Sequence, residues 1–221
     1  MSQYVKINSL WKREGWYAKN HNNSDKQAFI VGDYAHPAFG NVRTWRVSEK
    51  VDGTNVRVIV KDGIILFKGR TDQAVLQPSL VEYLRATFSV EKISEILNLD
   101  PVAFPSLRLY GEGYGPKIQA VGSNYRDSQG FILFDVVRGE KDWLDRGSVA
   151  EVGAKLGVPV VPDLGVMTED QIVEFVKSKP LSKCSIKPQV MEGVVCRADP
   201  EVYFKHGVPV MFKLKCKDFE Q

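Results

Sequence analysis

Residues 48–58, SEKVDGTNVRV, read as a strand, a polar break at Asp52-Gly53 and a second strand. An Asp-Gly pair between alternating apolar residues is the strongest short-range hairpin signal, and it makes Lys50 a solvated amine at the lip of a turn. The competing reading makes Lys50 a reactive group, with Asp52 and Asn55 beside it. Which reading holds depends on what the rest of the chain can bring to that turn.

Working outward, WRVSEKV, NVRVIV and IILFKGR run apolar or alternate, with β-branched residues between the turns VDG and KDG, which predicts a three-strand antiparallel meander. Pro78 opens a helical pattern with Leu80, Val81, Leu84 and Phe88 on one face, and VEKISEILNL predicts a second helix. LRLYGEGYG and FILFDVV return to strand, RGSVAEVGAKLGV is helical, and Thr168 is placed to cap another helix. VMEGVVCR and VMFKLKCK close the chain as strands. Before Arg43 the chain is rich in aromatics, Asn and Gly, which predicts irregular structure with a polar loop at Asn20 to Lys26. No repeat or linker marks a boundary, so one α+β domain over residues 1–221, with mostly antiparallel sheets flanked by helices, is expected.

With 221 residues and 43% hydrophobic content, the chain can bury a sizeable core. A net charge of +3, from 30 basic and 27 acidic residues, permits a nucleic-acid partner without requiring one. Cys184, Cys196 and Cys216 lack metal-site spacing and predict reduced thiols in a cytoplasmic setting. The start, MSQYVKINSLWKR, lacks a signal-peptide pattern, and no run approaches the ~18 apolar residues of a membrane span.

Phosphate-loop motifs are absent, since Pro116 spoils the glycine pattern of GEGYGP. His21, His36 and His206 offer no nucleophile elbow. What remains is a set of polar groups on strands. Glu112 stands between Gly111 and Gly113, where missing side chains suit ligand approach or merely an exposed turn. Asp135 and Glu192 each interrupt an apolar run and need partners. Lys213 and Lys215, two apart, project from one strand face; they are either solvated edge lysines or cations facing the site of Lys50. The second option has chemical content, because an amine attacks only after losing its proton, and a like charge ~4 Å away at an effective dielectric of about 20 opposes protonation by roughly 4 kcal/mol. The same cations would hold a triphosphate.

KVDGTN at 50–55, GR at 69–70, YGEGYG at 110–115, FILFDVV at 131–137, MEGVV at 191–195 and FKLK at 212–215 resemble, in order, the motifs of the covalent nucleotidyltransferases: ATP-dependent DNA ligases, RNA ligases and mRNA capping enzymes. EKVDGTN, FKGRTD and LYGEGYGPKIQ look most like the small ATP-dependent RNA ligases of phages and bacteria. The resemblance implies a nucleotidyltransferase (ATP-grasp-like) fold and the use of ATP with Mg²⁺ or Mn²⁺. It implies that Lys50 forms a lysyl-AMP, that Glu112 binds ribose and Phe134 stacks on adenine, and that Arg70, Lys213 and Lys215 contact phosphate. Asn55 would assist at the AMP phosphate, with Asp52 and Gly53 completing the nucleotide-binding turn; Glu192 and Asp135 would hold the metal. The AMP would pass to an RNA 5′-phosphate, and a 3′-hydroxyl would seal the strand. Only six residues follow Lys215, so no C-terminal OB domain is expected and a protein partner could replace it. A minimal DNA ligase, guanylyl transfer and a non-catalytic nucleotide- or RNA-binding module are the rival readings. Tyr4, Lys6 and Arg13 either join the core or flank the active site.

Overall fold

In the computed structural model, which describes residues 3–16, 27–98 and 106–219, the elements follow in chain order. They are β1 (Asn8–Ser9), β2 (Trp11–Arg13), β3 (Phe29–Tyr34), β4 (Trp45–Lys50), β5 (Thr54–Lys61), β6 (Ile64–Lys68), α1 (Pro78–Thr87) and α2 (Val90–Leu97). Then come β7 (Leu107–Tyr114), α3 (Gly122–Tyr125), β8 (Gly130–Arg138), β9 (Asp142–Trp143), α4 (Arg146–Leu156), β10 (Asp163–Met167), α5 (Glu169–Lys177), β11 (Gly193–Ala198) and β12 (Met211–Lys215). Short 3-10 turns occupy Pro37–Asn41 and Cys216–Phe219.

The hairpin expected at Asp52-Gly53 does not form. β4 pairs with β10 and β11, whereas β5 pairs with β6 and β7, so the strands on either side of that break belong to different sheets. The genuine hairpin is one turn later, where Lys61 faces Ile64 across Asp62 (φ +51°) and Gly63 (φ +70°). Two positive φ values are what a two-residue type I′ turn requires. The predicted meander is therefore a two-strand hairpin, and β4 is spent elsewhere.

The chain resolves into two compact units, one of Met1–Val5, Val51–Val161 and Cys184–Pro188, the other of Lys6–Lys50, Pro162–Lys183 and Gln189–Gln221. The first unit holds a five-stranded sheet in the order β6-β5-β7-β8-β9, antiparallel throughout. Val56, Val58, Val60, Leu107, Leu109, Phe131 and Leu133 form one buried cluster with Leu80 and Leu84 of α1, Ile93 of α2 and Val149 and Leu156 of α4. Pro78 starts α1, and Ser89 and Asp145 cap α2 and α4 by accepting from the amides of Lys92 and Ser148.

The second unit holds a five-stranded sheet in the order β1-β12-β11-β4-β10, with β1 parallel to β12 and the remaining pairs antiparallel, and the two-stranded sheet β2-β3. Trp45, Val47, Val194, Cys196, Phe212 and Leu214 turn to one side and are buried with Ile172, Val173 and Val176 of α5. Thr168 caps α5 in a full capping box with Gln171. Within the region expected to be irregular, β1, β2 and β3 are strands, and Leu10 and Trp11 join the core. The loop expected at Asn20 to Lys26 lies outside the described residues. The three cysteines are thiols and not disulfides, and complete burial pushes the Cys196 thiol well up. Among the described residues no helix is long and apolar enough to cross a membrane.

Arg13 and Asp218 make a buried ion pair at 2.7 Å, with side chains only 5% and 1% exposed. Arg13 also donates to Gln27 O (2.7 Å), and the second carboxylate oxygen of Asp218 accepts the amide of Lys215 (2.9 Å). Replacing Asp218 by Asn leaves a buried guanidinium without its counter-charge, which costs about 3–5 kcal/mol. Urea unfolding should show that loss, and a change near zero would show the pair to be dispensable.

Candidate active site

The register of the second unit sets its most reactive-looking group. Lys50, the last residue of β4, lies opposite Gly193 of β11, and Gly193 lies opposite Lys215 of β12. Residues in register point to the same face of a sheet, so the two lysines flank a position that has no side chain. Gly193 is required there: a Cβ would lie 2.1 Å from Leu214 O and 2.6 Å from Lys215 Cα, and its φ is +156°. Glu192 fills the gap. Its Oε2 lies 2.5 Å from Lys50 Nζ and its Oε1 lies 3.2 Å from Lys215 Nζ, with the three side chains between 14% and 22% exposed.

One row further along the same face, Ser48, Val195 and Lys213 are in register, and Ser9 of β1 continues the row. Lys213 and Lys215 therefore share a face while Phe212 and Leu214 enter the core, as the spacing requires. The solvated-edge reading of these lysines fails because β12 lies between β1 and β11. A carboxylate stands between the two ammonium groups: the sequence marked Glu192 as an acid in need of a partner and, by resemblance, as a metal ligand, and its partners here are the two lysines. On the opposite face Glu49, 1% exposed, accepts from Ser182 Oγ and from the Lys183 amide (2.8 Å), which fixes β4 against the segment leading to Glu192.

In the first unit, Asn55 of β5 and Glu112 of β7 are in register on the face turned away from the valine cluster. Asn55 Oδ1 is buried and accepts no hydrogen bond from the described residues. The Asp52-Gly53 turn is held by side chains in place of a strand partner: the Asp52 amide donates to Tyr125 Oη (3.2 Å), and Gln119 Nε2 donates to Gly53 O (2.9 Å). Neither Gln119 nor Tyr125 was singled out from the sequence, since nothing in their spacing points to that turn. The glycines beside Glu112 serve packing more than ligand access, because a Cβ would lie 2.3 Å from the Phe131 ring at Gly111 and 2.5 Å from Leu80 at Gly113.

Phe134 sits at a bulge. Tyr110 pairs with Asp135 and Gly111 with Leu133, which leaves Phe134 without a partner on β7, and bulges of this kind re-aim a side chain. Its carbonyl accepts from Arg146, and its half-buried ring lies 5.1 Å from that of Tyr4. Tyr4 donates from its hydroxyl to Asp135 Oδ2 (2.6 Å), which accounts for the 4% exposure of that acid. Arg70 is exposed and follows Gly69, whose carbonyl accepts from Arg57 Nε (2.7 Å). Arg57 is fully buried and also grips Asp72 at 2.7 Å, and that hydrogen bond lowers the Asp72 carboxyl. Among the described residues no group of three or more His, Cys, Asp or Glu side chains could hold a metal ion.

Solved structures share this architecture. The RNA ligase of Naegleria gruberi, as a lysine-to-methionine variant with AMP and Mn, matches with a TM-score of 0.58 at 22% identity over 78% of this chain and 49% of its own. An arginine-to-alanine variant of that ligase with ATP and Mn gives 0.61 at 19% identity over 97% of this chain and 56% of its own. This chain thus spans about half the length of those ligases, and at such identities the likeness is one of fold. No curated protein sequence matches it. The family model for RNA ligase matches residues 43–215, a span that opens just before β4 and ends on the last residue of β12. On that match, which takes in Lys50, Glu192 and Lys215 alike, the chain belongs to the RNA ligase family.

Proposed function

We propose that the protein is the adenylyl-transferring part of an ATP-dependent RNA ligase, acting as one nucleotidyltransferase domain, with Lys50 as its nucleophile. The observation that carries this reading is the bridge from Lys50 through Glu192 to Lys215 across Gly193. A proton leaves Lys50 Nζ along its 2.5 Å hydrogen bond to Glu192 Oε2. The free amine then bonds to the α-phosphorus of ATP as the bond to pyrophosphate breaks; pyrophosphate departs with the electron pair and takes up the second proton that the nitrogen sheds as the N–P bond forms. Lys215 and Lys213, on the same face, offset the charge that develops on the phosphate oxygens.

Glu112 takes the ribose, Phe134 stacks on adenine, Asn55 and Arg70 meet phosphate, and Gln119 and Tyr125 fix the Asp52-Gly53 turn that follows the nucleophile. Of the carboxylates expected at a divalent cation, Mg²⁺ or Mn²⁺, Glu192 has one oxygen on Lys50 and the other on Lys215, and Asp135 Oδ2 accepts from Tyr4, so Glu192 would hold the cation only after passing on the proton it takes from Lys50. The cation would supply further neutralisation of the triphosphate. The presence of AMP, ATP and Mn in the Naegleria structures supports this assignment. In the later steps an RNA 5′-phosphate oxygen attacks the lysyl-AMP phosphorus and the N–P bond breaks. A 3′-hydroxyl oxygen then attacks the 5′-phosphorus, and AMP leaves.

Incubation with α-labelled ATP and Mg²⁺ or Mn²⁺ should give one AMP per chain that survives denaturing electrophoresis, and Lys50→Ala should remove it; an unlabelled wild type overturns the proposal. Glu192→Gln, which keeps the shape but loses the charge, should slow labelling on the order of 10²-fold; an unchanged rate would release Glu192 from its role. Gly193→Ala should part β11 from β12 at the reactive row, lowering the melting temperature and abolishing labelling together. Retention of both would show that the row tolerates a side chain.

A further inference from the structure

Beside the reactive row, the second unit contains a cavity of about 70 Å³ lined by Lys6, Asn8, Ser9, Trp11, Arg13, Trp16 and Lys213, together with Ile7. Among the described residues that line it there is no acid. Arg13 is already committed to Asp218 and Gln27 O, so its charge is fixed in place. Trp11 is 5% exposed, and its indole N–H, itself buried, has no acceptor among the described residues. Such a donor is costly to leave unmade. Asn8 and Ser9 add neutral polar groups, and Ser9 lies in register with Lys213. Two ammonium groups and a pinned guanidinium around a space of this size select an anion.

Position narrows the class of anion. Lys213 lies two residues from Lys215 on one strand face, a separation of about 7 Å along the strand. The cavity is therefore one phosphate-to-phosphate step from the row where Lys215 and Lys50 share Glu192. Trp16, half-buried at its rim, adds an aromatic surface of the kind on which nucleotides stack.

We infer that this cavity is a second phosphate subsite, taking the phosphate next to the one that reacts at Lys50. Two sources share that chemistry: the 5′-phosphorylated end of the strand being joined and the polyphosphate tail of ATP. The inference rests on the proposed ligase reading for its context, and its test is independent of that reading. Lys6 is the residue to change, being exposed and outside the core.

Binding of the full chain to a 5′-phosphorylated oligoribonucleotide, to its 5′-hydroxyl counterpart and to pyrophosphate should be measured for wild type, Lys6→Glu, Lys6→Ala and Lys6→Arg. Lys6→Glu should weaken the phosphorylated probe or pyrophosphate by at least about tenfold. Lys6→Arg should restore most of that affinity. If the strand is the source, Lys6→Ala should also flatten the slope of log K against log salt by about 0.7, and the hydroxyl-ended probe should respond little. If ATP is the source, the loss appears with pyrophosphate and spares both oligonucleotides. If no phosphate probe changes by more than about twofold in Lys6→Glu, the subsite is disproved, whether or not the wild type labels with ATP. A wild type that fails to label while its phosphate binding depends on Lys6 would keep the subsite and sink the ligase reading.

Discussion

A single carboxylate organises the lysine-bearing face of the second unit's sheet. Glu192 holds Lys50 from one strand and Lys215 from another, over a glycine that only a residue without a Cβ could occupy. Three conditions meet there. The strands must be in register, the central position must be bare, and a negative charge must stand between two positive ones, because adjacent ammonium groups repel. If any of the three is removed, Lys50 becomes the solvated turn amine that its local sequence first suggests.

Much of this was legible in the residues and some was not. The alternation of MFKLK put Lys213 and Lys215 on one face, and β12 obeys it. The caps of α1 and α5 were readable because Pro78 and Thr168 act on their own neighbours. The error at Asp52-Gly53 has a physical cause: local propensity knows only the turn, and two Asp-Gly pairs offered the same signal. Asp62-Gly63 takes the positive φ values of a hairpin, whereas the polar groups at Asp52-Gly53 are met by Tyr125 and Gln119, which are distant in sequence. The bulge that frees Phe134 was equally invisible, since it arises from a one-residue mismatch between two strands that are each regular by themselves. Glu192 was recognised as an acid in need of a partner, but its two partners depend on a register that no local pattern specifies.

Arg57 and Tyr4 illustrate a related point. Arg57 reads as an ordinary outward residue of an alternating strand, yet it is fully buried and ties the Gly69–Asp72 loop, where Arg70 is carried, to β5. Tyr4 was among three N-terminal residues left open between core and active site, and its hydroxyl proves to be what settles the buried Asp135. In both cases a charge placed in apolar surroundings finds a partner outside its own strand, as the cost of burying it unpaired demands.

The pairing of Lys50 with positions 193 and 215 has a kinetic side. Contacts that span so much of the chain close late, because the entropy of closing long loops is lost before they form. During synthesis β4 leaves the ribosome well before its neighbours β10 and β11 exist, so its edges find their partners only after those segments have emerged. A fragment that carries the KVDGTN motif alone thus presents the lysine without Glu192 and Lys215 beside it.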